Sequence, residues 1–305
     1  MGFLKMRALV LLSQALAMAL AIAPARGAVS PDGTCGSTVA GNYTCDVEFC
    51  CSQYGYCGTT TAYCNAGCQT AYGRCGNGTE VAAPGEPARP GLEMKACVAN
   101  GTYALTFDDG PTNITAVVLK TLARLRLKGA FFAVGLNLEN TTENLAARAA
   151  FRAAYRAGHL VASHSYDHPH FPTLTVAAME EQLDKTALLF EQLIGVRPRY
   201  FRAPYGEVDS DVVGVLEGRG YNLINWNLDP RDWESRNETL ILESIADQLA
   251  VGSPANDSWI DVKHDTVPAT VYGLEKIVRL IQSKGYKIVP LPECVGDTKS
   301  PYTRI

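Results

Sequence analysis

"YALTFDDGPTN", residues 103–113, carries an apolar run into two adjacent carboxylates and then into a turn. Tyr103, Ala104, Leu105 and Phe107 read as a strand entering a core, and the strand stops at Asp108, Asp109, Gly110 and Pro111. Two neighbouring negative charges at the edge of a core repel each other and are costly to take out of water. Positive partners must reach them from elsewhere in the chain.

The sequence that follows alternates regularly. Strand patterns at "TYALTF", "GAFFAVG", "HLVASH", "RYFRAP", "YNLINWNL", "WIDVKH" and "YKIVPL" are separated by amphipathic helical patterns, the longest being "VAAMEEQLDKTALLFEQLIG" closed by Gly195. Repeated strand–helix units predict an α/β fold with a parallel sheet, and about seven strands in some 200 residues favour a small barrel. Asp108 and Asp109 end the first strand, His164 the third and His264 the strand "WIDVKH", while Arg202 and Asp229 fall near the ends of two others. In a parallel barrel these C-terminal ends form the face where sites are built.

"HSYDHPH", residues 164–170, holds three of the five histidines. Pro169 disfavours a helix through it, so a tight loop is expected, and no Glu follows the first His as in a zinc-protease helix. Two histidines and a carboxylate suit zinc and leave a position open, which makes His164, His168 and Asp109 the candidate ligands. Adjacent residues in an extended segment point apart, so Asp108 is left free to deprotonate the water that the metal activates. His264 is then placed to protonate a leaving group, with Arg202 holding the base and Asp229 the acid.

"TFDDGP", "HSYDH", "RAPYG", "DPRDW" and "IDVKH" resemble, in order, the five motifs of the family 4 carbohydrate esterases, the polysaccharide deacetylases with a NodB homology domain. The resemblance covers residues 97 to about 294. It implies a distorted (β/α) barrel, a metal on Asp109, His164 and His168, Asp108 as general base and His264 as general acid. It further implies that Arg202 pairs with Asp108, that Asp229 pairs with His264, that the Tyr205 N–H helps hold an oxyanion, and that Trp233 lines a groove. Pro230 and Arg231 depart from the smaller or apolar residues common in the fourth motif, and Asp261 and Lys263 put charges into the fifth.

Upstream, residues 35–75 contain eight of the ten cysteines. So short a segment buries too little apolar surface to fold unaided, and disulfides are expected to hold it. Spacing alone leaves about 105 pairings open. A zinc cluster is the rival reading, opposed by the adjacent Cys50 and Cys51 and the lack of histidine. "FCCSQYGYCG" resembles the hevein-like chitin-binding module across all eight cysteines. That resemblance implies the pairs Cys35–Cys51, Cys45–Cys57, Cys50–Cys64 and Cys68–Cys75. It implies a sugar site at Ser52, Tyr54, Tyr56 and Tyr63, where aromatic faces stack on sugar rings. Cys97 and Cys294, at the two ends of the large domain, are expected to pair, as a related disulfide does in fungal relatives.

The expected organisation is a signal peptide over 1–27, the disulfide-rich module over 28–76, a Pro/Gly-rich linker over 77–95, the deacetylase barrel over 96–295 and a tail over 296–305. The leader has Lys5 and Arg7 before a long apolar run and small residues near Gly27, an uncleaved anchor being the alternative. Seven N-x-[ST] sequons, at Asn42, Asn77, Asn100, Asn113, Asn140, Asn237 and Asn256, fit an exported glycoprotein. A formal net charge of −4 gives no reason to expect nucleic acid or an anionic membrane as partner. These readings converge on a secreted or wall-associated monomer that removes N-acetyl groups from chitin or chitooligosaccharides with one divalent metal, zinc or a substituting cobalt. The other readings are an acetylxylan esterase, a peptidoglycan deacetylase and a chitin-binding lectin with an inert barrel.

Overall fold

The computed structural model describes residues 85–304 continuously, with 80–83 and, nearer the N-terminus, 29, 33–36, 43–45, 49–58, 64, 68–69 and 71–73. The expected leader, 1–27, lies outside the described residues.

All seven expected strand segments of the large domain form strands, and every pairing among them is parallel. Tyr200–Phe201 pairs with Asn222–Ile224 on one side and Leu160–Ser163 on the other, followed by Ala130–Ala133 and Thr106–Asp108. The first run of chain is interrupted at Leu105. Its earlier half, Thr102–Ala104, pairs instead with Trp259–Ile260 and Lys287–Ile288. The sheet therefore curls into a distorted barrel with helices packed outside.

Strand alternation explains the core. Ala130 and Phe132 join Leu92, Met94, Ala104, Ala162, Tyr200, Ile224 and Ile260 in one buried cluster, inside the curl. Phe131 and Ala133 join Phe107 and Val161 in another, beneath helices Thr115–Leu125, Leu145–Arg156 and Pro268–Ser283. Both faces of the sheet are covered, as parallel sheets require. The helix Val176–Ile194 starts on the Thr175 side chain, which accepts the Ala178 N–H, and ends at Gly195 with φ 73°, a left-handed turn suited to glycine.

Two expected boundaries move. Glu80–Val81 and Leu92–Met94, inside the expected linker 77–95, are parallel strands of the sheet, and Leu92 and Met94 are buried. Pro87 and Pro90 lie in the connection between them rather than in a tether, because Leu92 and Met94 belong to a segment that has a strand, Asn222–Ile224, to pair with, while Pro84 lies outside the described residues. The expected tail 296–305 also joins the domain: Tyr302–Arg304 pairs antiparallel with Val196–Pro198, and the Tyr302 hydroxyl accepts the Val161 N–H at 2.9 Å.

Cys97 and Cys294 are bonded across 197 residues of chain. A loop that long contributes about 5 kcal/mol in the chain-entropy model. Cys35–Cys51, Cys45–Cys57 and Cys50–Cys64 are bonded in the small module. Cys68 is also disulfide-bonded, while Cys75, its expected partner, lies outside the described residues. No helix among the described residues is long and apolar enough to cross a membrane.

Candidate active site

The paired aspartates of the opening stretch part company at the end of their strand. Asp108 is in the last extended position and is buried, whereas Asp109 has φ 70° and turns out of the sheet. Gly110 follows because a Cβ there would lie 2.2 Å from the Asp265 carboxylate. The structure thus sends the two carboxylates to different partners.

Asp109 Oδ1 lies 3.4 Å from His164 Nε2 and 3.3 Å from His168 Nε2. One ligand atom from each of the three lies within 4.8 Å of the others, a group able to hold a metal ion. Asp109 Oδ1 is buried with no hydrogen-bond partner, a costly state for a carboxylate oxygen unless a cation completes it. His164 Nδ1 lies 2.8 Å from the Arg202 carbonyl, which fixes the tautomer and leaves Nε2 to coordinate. The residues therefore fit a divalent cation.

Asp108 is held from behind. Arg202, fully buried, donates from Nη1 to Asp108 Oδ1 at 2.8 Å and to Thr106 Oγ1 at 2.7 Å. Its other nitrogens donate to the carbonyls of Ile224 and Asn225, and its guanidinium lies 4.2 Å from the Phe132 ring centroid. These partners define where the guanidinium sits, and with it the carboxylate it pairs with.

His264, across the site, has Nε2 3.8 Å from Asp109 Oδ2. Its Nδ1 is paired at 2.7 Å with Asp232, not with Asp229 as the sequence reading expected. Asp232 Oδ2 also accepts the His264 N–H at 2.9 Å and the Thr270 hydroxyl at 2.5 Å. Burial alone would lower the imidazole, but Asp232, with the further pull of Asp108 and Asp109, lifts it to about 9. The Asp229 carboxylate instead accepts the Arg231 N–H at 2.7 Å and closes a turn. Pro230 and left-handed Arg231, φ 53°, reverse the chain so that the short helix Asp232–Ser235 brings its first residue back beneath His264. "DPRDW" holds both aspartates, and only chain reversal decides between them.

Tyr205 sits at the rim, half exposed, with φ 62°. Its ring meets that of His168 at 4.6 Å and stacks on that of His170 at 4.0 Å. Gly206 must be glycine, since φ is 70° and a Cβ would meet the Trp226 ring at 2.7 Å. Trp233 is half exposed, with the Arg231 guanidinium 5.8 Å from its ring. Asp109, Ser165, His168, Tyr205 and Arg231 all have positive φ without being glycine. Left-handed backbone of this kind costs about 1–2 kcal/mol per residue and gathers at functional sites.

Asp265 was not singled out from sequence. It is buried, accepts the Thr115 hydroxyl at 2.5 Å, and its burial next to Asp109 and Asp108 pushes its carboxyl up to about 7. Its place directly after His264 was the only available signal.

In the small module, Ser52 is buried and its hydroxyl accepts the Tyr56 N–H at 3.3 Å. Tyr54 and Tyr56 are exposed, so their rings are available to a ligand, and Tyr63 lies outside the described residues.

Comparison with known proteins places this geometry in context. Residues 95–224 match the polysaccharide deacetylase family model, and residues 34–75 match that of chitin recognition protein. Over 211 residues the chain is 36% identical to a chitin deacetylase of Colletotrichum lindemuthianum, spanning 68% of this chain and 84% of the relative. The solved structure of the chitin deacetylase from that fungus superposes with a TM-score of 0.63 at 30% identity, over 70% of this chain and 95% of the other. A peptidoglycan-N-acetylglucosamine deacetylase of Listeria monocytogenes is 31% identical over 206 residues, 67% of this chain but 41% of the relative.

Proposed function

The chain belongs to the polysaccharide deacetylase family, and on that premise we propose that it is a secreted, metal-dependent chitin deacetylase. It hydrolyses the N-acetyl groups of N-acetylglucosamine units to give acetate and glucosamine units. The observation that carries this reading is the orphaned Asp109 oxygen between two histidine nitrogens, flanked by an Arg-held carboxylate and an Asp-held imidazole.

Asp109, His164 and His168 hold the metal, zinc by the chemistry of the donor set, with cobalt as a substitute. A cation bound there would supply Lewis acidity towards an acetamide carbonyl and a water. Asp108, fixed by Arg202, accepts the proton of the attacking water. The Tyr205 N–H donates to the oxygen on which negative charge develops. His264, charged at neutral pH because of Asp232, gives its Nε2 proton to the departing amine. Trp233 and Tyr205, both half exposed, are the aromatic side chains this reading assigns to gripping the sugar chain.

The chitin recognition module supports chitin over other acetylated polymers, and the two parts joined in one chain raise the local concentration of substrate. Its disulfides, with the expected leader, support export. Tyr54→Ala and Tyr56→Ala are each expected to weaken pull-down on insoluble chitin by about tenfold, the loss of one stacked ring. Acetate release from that solid falls in step. Unchanged binding in both variants would contradict the assignment of these rings.

Substrate choice is tested by acetate release from equal amounts of N-acetylglucosamine oligomers, acetylxylan and peptidoglycan fragments. The expected result is the highest kcat/KM on the chitin oligomers. A higher value on either of the others would overturn the substrate while leaving the reaction class in place.

A further inference from the structure

Asp261 and Lys263, the two charged residues that interrupt the fifth motif, are both fully buried. Their side chains form an ion pair, and the Lys263 ammonium lies 4.8 Å from the Phe107 ring centroid. Burial pulls that ammonium below its usual value, against the opposing pull of Asp261. A fully desolvated pair is weak evidence for stability, since apolar residues of similar volume often serve as well. Its connections point to another role.

Asp261 sits where the first strand breaks at Leu105. The Thr106 N–H, at the restart of that strand, donates to Asp261 Oδ1 at 2.7 Å, so a side chain completes what the backbone ladder leaves open there. The Thr106 hydroxyl donates to the Asp261 carbonyl and accepts from Arg202 Nη1 at 2.7 Å. That same Nη1 donates to Asp108. Asp261 Oδ2 accepts from Lys263 and from the Tyr103 hydroxyl at 2.8 Å, and the Lys263 carbonyl accepts the Asp108 N–H at 2.7 Å. Two anions, Asp108 and Asp261, thus alternate with two cations, Arg202 and Lys263, in one buried network.

We propose that the Asp261–Lys263 pair is a positioning device for the general base: through Thr106 it fixes the guanidinium of Arg202, and so sets where the Asp108 carboxylate meets the attacking water. Thr106, Arg202, Asp261 and Lys263, the network behind Asp108, are all fully buried. The proposal rests on the deacetylase reading, and it differs from a purely structural role in one measurable way. Replacing the pair by neutral residues should spare folding, metal binding and KM while lowering kcat.

The test compares the parent with the double variant Asp261→Asn/Lys263→Met in the full secreted chain. Acetate release from N-acetylglucosamine oligomers, bound zinc and thermal midpoint are measured for each. The expected result is near-parental zinc and KM with kcat reduced about ten- to a hundredfold, the scale of a misplacement of a reacting group. A folded, zinc-loaded double variant with kcat within twofold of the parent would overturn the proposal. An inactive parent would instead refute the deacetylase reading itself. Should the double variant not fold, Thr106→Val removes the hydroxyl relay and keeps the ion pair. It is expected to lose kcat at unchanged KM, with Thr106→Ser recovering at least several-fold over it. Equal kcat in the two Thr106 variants would overturn the proposal as surely.

Discussion

Asp108→Asn is expected to lower kcat for acetate release by about a thousandfold and to leave the bound metal unchanged. Asparagine keeps the shape and the Arg202 hydrogen bond but cannot take a proton, and general-base catalysis is worth about 10²–10⁴ in rate. The metal set is untouched, because Asp108 points back to Arg202 while Asp109 turns to the histidines. The substitution also strips a buried guanidinium of its counter-charge, and breaking a buried pair this way costs about 3–5 kcal/mol when the partner is left uncompensated. Thr106 and the two backbone carbonyls that Arg202 also contacts soften that loss, so the protein folds with a lowered midpoint. Kinetics, metal analysis and a melting curve on one preparation separate the three effects. Loss of zinc along with activity would move Asp108 into the metal set and contradict the division of labour between the two aspartates.

Asp232→Asn produces the second large effect, and its pH dependence identifies the acid. Asp232 raises the His264 imidazole, so the variant's His264 loses its proton at a lower pH than the parent's. The alkaline limb of the kcat profile should therefore move towards neutrality, and kcat at pH 8 should fall by about a hundredfold. Asp229→Asn, by contrast, removes a turn contact with the Arg231 N–H and should leave the alkaline limb where it was. A shift in the Asp229 variant and none in the Asp232 variant would restore the pairing expected from sequence.

That misassignment shows where sequence stops being legible. The seven strands could be read because apolar runs punctuated by Gly and Pro are local signals, and so could the Asp109, His164 and His168 group, because residues at strand ends in a parallel barrel converge on one face. Asp229 and Asp232 differ by three positions, and the choice between them depends on a left-handed residue, Arg231, that no side-chain pattern announces. Residues 77–95 read as a tether because three prolines and several glycines fall within them. What made Leu92–Met94 a strand was an unfilled edge beside Asn222–Ile224, a long-range fact. The same holds for Tyr302–Arg304, which pairs with a strand about a hundred residues earlier in the chain. Asp261 and Lys263 were visible as oddities of composition, but their connection to Arg202 runs through a break in another strand.

The most direct test of the central claim is acetate release from N-acetylglucosamine oligomers by the purified protein, before and after chelation and then after zinc is restored. A single site on Asp109, His164 and His168 predicts one zinc per chain, activity lost with that zinc, and activity regained at one equivalent added. Full activity in protein shown by metal analysis to hold less than about a tenth of an equivalent of any divalent ion would contradict the account at its centre.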